Sequence, residues 1–315
     1  MRSRRGAALL TALGLMLLVS IISFERTLLA RRTRLTVANI VEHAQLEAVA
    51  MAGVEHARAE LDRLLQSGAM QSLRDPGRVL DAWDAADGKM LDAELAREYR
   101  YHVELHDAGT RMQLNGATQE QLRILMVALG IDARRADHVS AAIGDWRDPD
   151  QLRRVNGAER DDYLALGQAM LPDDGPFARV DQLRFVIGVN DSLYRVLAPQ
   201  LTVFGSGKVD INAASRAVLL TLPGFSEEAV SVILHDRQRG RRVADLNRFA
   251  AQLSPAAREL MQRSLPALQA AAVLETRQIH VASDAWRVGS NFHVRIDAII
   301  SRDEEGRVIW SRVSS

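Results

Sequence analysis

The chain holds no cysteine, so thiolate metal sites, Cys nucleophiles and disulfides are excluded. Metal binding or proton transfer would fall to eight histidines and to the carboxylates. The histidines are His43, His56, His102, His106, His138, His235, His280 and His293. Only His102 and His106 lie close together. Their run alternates Tyr99, Tyr101, Val103 and Leu105 with Arg100, His102 and Glu104, the period of a strand, where a four-residue gap does not converge on a metal. No Gly-x-Ser-x-Gly, no His-Glu-x-x-His and no phosphate-cradling glycine loop occurs. The residue types therefore point away from an enzyme. Clustered carboxylates remain: Asp145, Asp148 and Asp150 in one short run, and the adjacent Asp173 and Asp174. None has EF-hand spacing, and Asp in such runs also caps helices and forms turns.

The elements that would position these groups follow from the pattern along the chain. Of the 315 residues, 47% are hydrophobic and 25% charged, with 40 basic against 40 acidic side chains. This is globular composition, and a net charge of zero excludes a generally basic nucleic-acid coat. Aromatics at 5% argue against a stacking surface for single strands or sugars. Ala7 to Phe24 runs eighteen residues without a charge. At about 1.5 Å per residue this is close to the thickness of a hydrocarbon core. The run passes straight into Glu25-Arg26 without Gly, Pro or an Ala-x-Ala site, which favours a retained transmembrane helix over a removed signal. Basic residues on both sides (Arg2, Arg4 and Arg5; Arg26, Arg31, Arg32 and Arg34) leave the orientation open. Leu35, Val41, Leu46, Val49, Val54, Ala57, Leu61, Leu64 and Leu65 continue at helical steps, predicting one helix over 7–66 ended by Gly68 and Asp75-Pro76-Gly77.

Residues 88–111 and 276–315 read as strands, with Phe292, Val294, Ile296, Ala298 and Ile300 alternating and Arg302–Gly306 as a hairpin turn. Between them, 112–270 reads as helices. The fold class expected is α+β, with a large all-α domain inserted into a small antiparallel sheet domain. The insert reads as an internal repeat. Met112-Gln113-Leu114-Asn115-Gly116-Ala117-Thr118 matches Val209-Asp210-Ile211-Asn212-Ala213-Ala214-Ser215, with Leu122 and Leu219 following. Thr118 and Ser215 are expected N-caps, with a capping box at Thr118/Gln121 only. Asn115 and Asn212 are expected to tie the preceding loop to the helix start. The second unit resembles a helix-hairpin-helix module, but its turn is Gly224-Phe225-Ser226, followed by Glu227 and Glu228 where phosphate binding favours Lys. The Arg237–Arg242 cluster reads as a solvated helix end.

Taken in order, Arg5-Gly6-Ala7-Ala8-Leu9-Leu10, Leu114-Asn115-Gly116-Ala117, Asp145–Asp150, Gly157-Ala158-Glu159 with Tyr163, Leu183-Arg184-Phe185-Val186, Leu201-Thr202-Val203 and Ile211-Asn212-Ala213-Ala214 resemble the K-type minor pseudopilins of bacterial type II secretion. The resemblance covers nearly the whole chain. It implies a prepilin leader 1–6 cut between Gly6 and Ala7 by prepilin peptidase, with methylation at Ala7. It implies a transmembrane helix 7–24 in the inner membrane, a pilin-like stem and first strands over 25–111, and an inserted helical domain over 112–270 with two helix-hairpin-helix-like repeats. C-terminal strands over 271–315 would complete the sheet, and the soluble part would lie in the periplasm.

The resemblance also implies a place at the tip of the pseudopilus, with I- and J-type minor pseudopilins and the major pseudopilin as partners. The fifth mature residue is then Thr11, where most pilin-like subunits carry Glu. A buried, unpaired carboxylate is costly, so an uncharged residue suits a subunit with no neighbour above it. Family members can bind calcium, which directs attention to Asp145, Asp148 and Asp150. The family often has adjacent acids before the first Asn motif; here Asp107-Ala108 lacks one. The alternative is a membrane-anchored helix-hairpin-helix DNA-binding protein.

Overall fold

The computed structural model describes the backbone of residues 2–74, 83, 86–95, 97–168, 170–275, 277–302 and 308–314. Side chains of 1–12, 14, 19, 28, 30, 68–74 and 308–314 lie outside the described set. The chain begins with α1 (Arg2–Arg74), then β1 (Lys89–Leu95) and β2 (Tyr99–Asp107). Next come β3 (Met112–Gln113), α2 (Gln119–Ala128), α3 (Ala133–Arg147) and α4 (Arg160–Ala165). These lead to α5 (Asp191–Leu197), β4 (Leu201–Thr202), β5 (Val209–Asp210), α6 (Arg216–Leu219) and α7 (Glu227–Gln238). The last group is α8 (Leu246–Ala250), α9 (Pro255–Arg263), α10 (Leu265–Ala271), β6 (Ala272–Val273), β7 (Gln278–Arg287), β8 (His293–Arg302) and β9 (Val308–Ser314).

The main sheet is antiparallel, in the order β1-β2-β7-β8-β9, so strands from distant parts of the sequence close one surface. Tyr101, Val103, Leu105, Ile279, Val281, Ala285, Ile296, Ala298 and Ile300 form its inner face, the alternate positions the sequence marked as apolar. Val49, Ala50, Val54, Ala57, Leu61 and Leu64 of α1 pack on that face at helical steps. Gly53 is the point of closest approach: a Cβ there would stand 2.2 Å from Ser283 Oγ and 2.9 Å from Val103 Cγ2. The helix runs through Gly68, and its described part reaches Arg74; the expected stop at Asp75-Pro76-Gly77 lies outside the described residues. One interior Gly costs only about 1 kcal/mol, whereas a Pro removes a donor and pushes its predecessor out of the helical region.

The first half of α1 has a different surrounding. Leu13, Leu15, Leu17, Ile21, Leu35 and Val41 are exposed, and burial begins at Leu46. Among the described residues no helix is long and apolar enough to cross a membrane; much of the 7–24 run lies outside that set at side-chain level. Gly6, Ala7 and Thr11 have helical backbone, and their side chains are likewise outside the described set. Beyond Arg302, the hairpin turn expected over Arg302–Gly306 also lies outside the described residues.

The segments 112–202 and 209–273 share a set of contacts. β3 pairs in parallel with β4, and β5 with β6. Thr118 Oγ1 accepts from Gln121 N at 3.1 Å while Gln121 Oε1 accepts from Thr118 N at 2.9 Å. Ser215 Oγ accepts from Val218 N at 3.3 Å. Contrary to the expectation above, the asparagines do not bind the helix starts. Asn115 clasps both backbone groups of Phe177 (2.9 and 2.8 Å), and Asn212 both of Val243 (2.9 and 2.8 Å). Each amide thus closes the loop across its hairpin onto the chain that follows it, because that chain offers an unpaired N–H and C=O side by side. Arg147 donates to the carbonyls of Leu114 and Ala117; Arg237 donates to those of Ile211 and Ala214.

Candidate functional site

The carboxylates gather in the stretch between α3 and α4. Asp148 is the C-cap of α3 and Glu159 the N-cap of α4. Asp150 lies between them and accepts from Leu152 N at 2.7 Å, which turns the loop. Carboxylate oxygens of Asp148, Asp150 and Glu159 all lie within 4.8 Å of one another. Oδ1 of Asp148, both oxygens of Glu159 and Oδ1 of Asp174 are buried without a hydrogen-bond partner. Glu159 is 6% exposed. Burial first, then the charges of Asp145, Asp148, Asp174 and Asp150, push its carboxyl up to about 7.

Of the three carboxylates marked in the sequence, Asp148 and Asp150 are in this group and Asp145 is not. Asp145 is fully buried and accepts from Arg154 Nη1 at 2.8 Å and Arg154 N at 3.2 Å. Arg154 also reaches Asp148. A Cβ on Gly157 would stand 1.9 Å from Asp145 Oδ2, so glycine is required for the loop to pass this carboxylate. Asp173 and Asp174 bind Gln182 and Gln151 at 2.9 and 3.0 Å. Sequence reasoning missed Glu159 as a candidate. Its signal was an acid at a helix start, three residues before Asp162, whose carboxylate accepts from Glu159 N at 2.9 Å. Buried oxygens without donors suit a hard cation, and Asp148, Asp150 and Glu159 fit one.

The stretch is anchored by Tyr163. Its ring meets Trp146 edge-on with centroids 5.4 Å apart, and Trp146 stacks on Phe177 at 6.0 Å. The Tyr163 hydroxyl accepts from Ile187 N at 3.2 Å. Around this anchor Leu152, Val155, Leu164 and Leu166 are exposed.

In the basic cluster at the end of α7, expected as a solvated helix end, Arg239 is exposed and three arginines are engaged within the chain. Arg237 holds two carbonyls, Arg241 pairs with Asp236 and Arg242 donates to Leu274 O at 3.4 Å. The adjoining turn is closed as well. A Cβ on Gly224 (φ +76) would meet Ser264 Cβ at 2.7 Å, and Glu228 binds Ser254 through N and Oγ. The nucleic-acid alternative finds no support in this geometry.

A long helix laid on a small antiparallel sheet, with helices between two of its strands, defines an α+β protein. A chain from the crystal structure of the GspK–GspI–GspJ complex of enterotoxigenic Escherichia coli has this fold, with a TM-score of 0.53 at 19% identity over 86% of this chain and 99% of that one. The family model described as Type II secretion system (T2SS), protein K matches residues 102–206. Type II secretion system protein K of Dickeya chrysanthemi is 36% identical over 104 residues, and that of Klebsiella pneumoniae 26% over 234. The match spans 28% of the Dickeya protein, and 69% of both this chain and the Klebsiella protein. The central region of the chain is thus similar to the type II secretion system protein K family, and the chain spans less than half the length of the Dickeya relative that it matches.

Proposed function

We propose that the chain is a minor pseudopilin placed at the tip of the type II secretion pseudopilus, where it starts or caps the fibre beside I- and J-type partners. One observation carries the reading: the first half of α1 presents apolar side chains that no other described part of the chain covers, while its second half is fixed to the sheet. Such a helix needs a hydrocarbon or helical surrounding. The proposal includes a leader cut between Gly6 and Ala7, a single transmembrane pass over 7–24 and a periplasmic head. Thr11, as the fifth mature residue, leaves no buried carboxylate without a partner. The domain bounds 25–111, 112–270 and 271–315 and the paired helix-hairpin-helix-like units belong to the same reading. They make the protein an assembly subunit rather than an enzyme. The matched secretion proteins and the neighbouring complex support it.

A calcium-type cation is proposed at Asp148, Asp150 and Glu159, where it would neutralise the buried group and fix the loop. The test is processing and partnership together. The mature protein should begin at Ala7 and co-purify with the I- and J-type subunits. A start at Met1 or beyond Phe24, or a head that ignores both partners, would remove the reading.

A further inference from the structure

Two clefts mark the joint between the outer face of the main sheet and the helical segments. The first, about 270 Å³, is lined by Arg111, Arg179, Phe204, His280, Arg295 and Asp297, among others. The second, about 370 Å³, is lined by Lys208, Arg277, Gln278, Ser301 and Arg302, among others. Arg111 and Lys208 hold matching places. Each stands directly before a short parallel strand and four residues before the clasping asparagine. The carboxylates nearby are engaged with the other cations. Asp181 pairs with Arg179 at 3.3 Å, Asp297 with Arg295 at 3.3 Å and with His280 at 2.8 Å, and Glu275 with Arg277 at 2.5 Å. Among the described residues no carboxylate lies within ion-pair distance of Arg111 or Lys208.

The clefts adjoin. Gln278 and His280 are alternate residues of β7 on one face, so about 7 Å separates them. Alternate side chains of an extended peptide have that same spacing. Cations converging on a cleft repel one another, and guanidinium groups accept carboxylates in a two-pronged fit.

We propose that this joint receives an acidic extended segment of a partner protein, with alternate carboxylates reaching Arg111 in one cleft and Lys208 in the other. The proposal rests on the joint alone and stands or falls separately from the tip assignment.

The experiment titrates the full chain in detergent with a fluorescent peptide of alternating Glu and Thr. A Lys/Thr peptide and inorganic phosphate serve as the comparison probes. The Glu peptide should bind, weaken with salt, and lose about tenfold in affinity with Arg111→Glu and again with Lys208→Glu. Arg134→Glu, on the exposed first turn of α3, should change nothing. Arg111→Gln, checked for an unchanged melting profile, guards against misfolding of the reversed variant. Absence of binding, or binding by the Arg111 and Lys208 variants as tight as that of the unchanged chain, overturns the proposal. Phosphate binding as tight as the peptide's would assign the clefts to a free oxyanion and overturn it too. Binding that emerges only after Asp303, Glu304 and Glu305 are changed to Gln would give the joint to the chain's own turn, with the same consequence.

Discussion

The segments 112–202 and 209–273 use one frame and then part company. Both have a hydroxyl N-cap, an asparagine clasp, an arginine on two carbonyls and a parallel two-residue bridge. In the second segment residues 238–242 suffice to connect Arg237 to Val243. In the first, the chain from Arg147 to Phe177 takes residues 148–176, and these contain every member of the acidic group. Their turns differ too. Gly224 is packed under Ser264, whereas a Cβ on Gly130 would meet nothing within 4 Å. The frame is thus held by backbone-directed polar side chains, and the candidate chemistry sits on a segment that the frame carries. Tyr163 is the aromatic plug that fastens it.

That division predicts its own largest effect. Tyr163→Ala removes a fully buried ring from Trp146 and leaves Ile187 N without its acceptor. Loss of such a ring costs about 3–5 kcal/mol. Chemical denaturation should report this, together with loss of any cation response. An unchanged cation response would break the view that Tyr163 holds the acidic segment in place. Next in size are Arg147→Met and Arg237→Met. Each strips the donors from two carbonyls of its own segment, and each should cost about 2 kcal/mol. Burial already lowers the pKa of both arginines, so the two sites are similarly desolvated. Costs that differ by more than twofold would show that the two clamps are not equivalent.

The sheet was legible in the sequence because β2 and the first half of β8 alternate buried with more exposed positions, so the period of two is visible at Tyr99–Leu105 and Phe292–Ile300. The asparagine motifs were legible as two matching runs of sequence. Their partners were not, since Phe177 and Val243 lie far along the chain and no local pattern marks a backbone clasp. The acidic site was half legible. Proximity in sequence grouped Asp145 with Asp148 and Asp150, but α3 turns Asp145 inward to Arg154, while the loop returns Glu159 to the other two. Which acid meets an arginine and which stays unpaired is decided by loop closure, and Gly157 is the only residue there whose type hints at it.

The third effect depends on pH. Glu159 is raised from the 4.5 of an ordinary Glu carboxyl to about 7, so the folded protein holds that proton more tightly than the unfolded chain. Its contribution is fully present below about 4.5 and is lost as pH rises through about 7. With chelator present, the melting temperature should fall across that window. Calcium should restore it at the upper end, because a cation replaces the proton as the neutralising charge. Glu159→Gln should flatten the chelator profile and remove the calcium response, with no counterpart in the second segment. A profile that keeps its slope in Glu159→Gln would move the titration to another group.

The smallest effect tests the caps. Thr118 has a reciprocal box with Gln121, so Thr118→Ala should cost about 1 kcal/mol and Gln121→Ala less, because the first change leaves a backbone N–H unpaired while the second releases one that water can reach. Ser215 cannot have that box. The residue three positions on is Val218, fully buried in the core, where a glutamine would be desolvated. Its hydroxyl donates instead to Gln200 Oε1 at 2.5 Å, tying α6 to the residue just before β4 of the first segment. Ser215→Ala should therefore lose both the cap and a bond between the segments, and cost more than Thr118→Ala although its helix is shorter. A double change of Ser215 and Gln200 to Ala that costs no more than Ser215→Ala alone is the expected mark of that link, and strict additivity in denaturation midpoints would sever it.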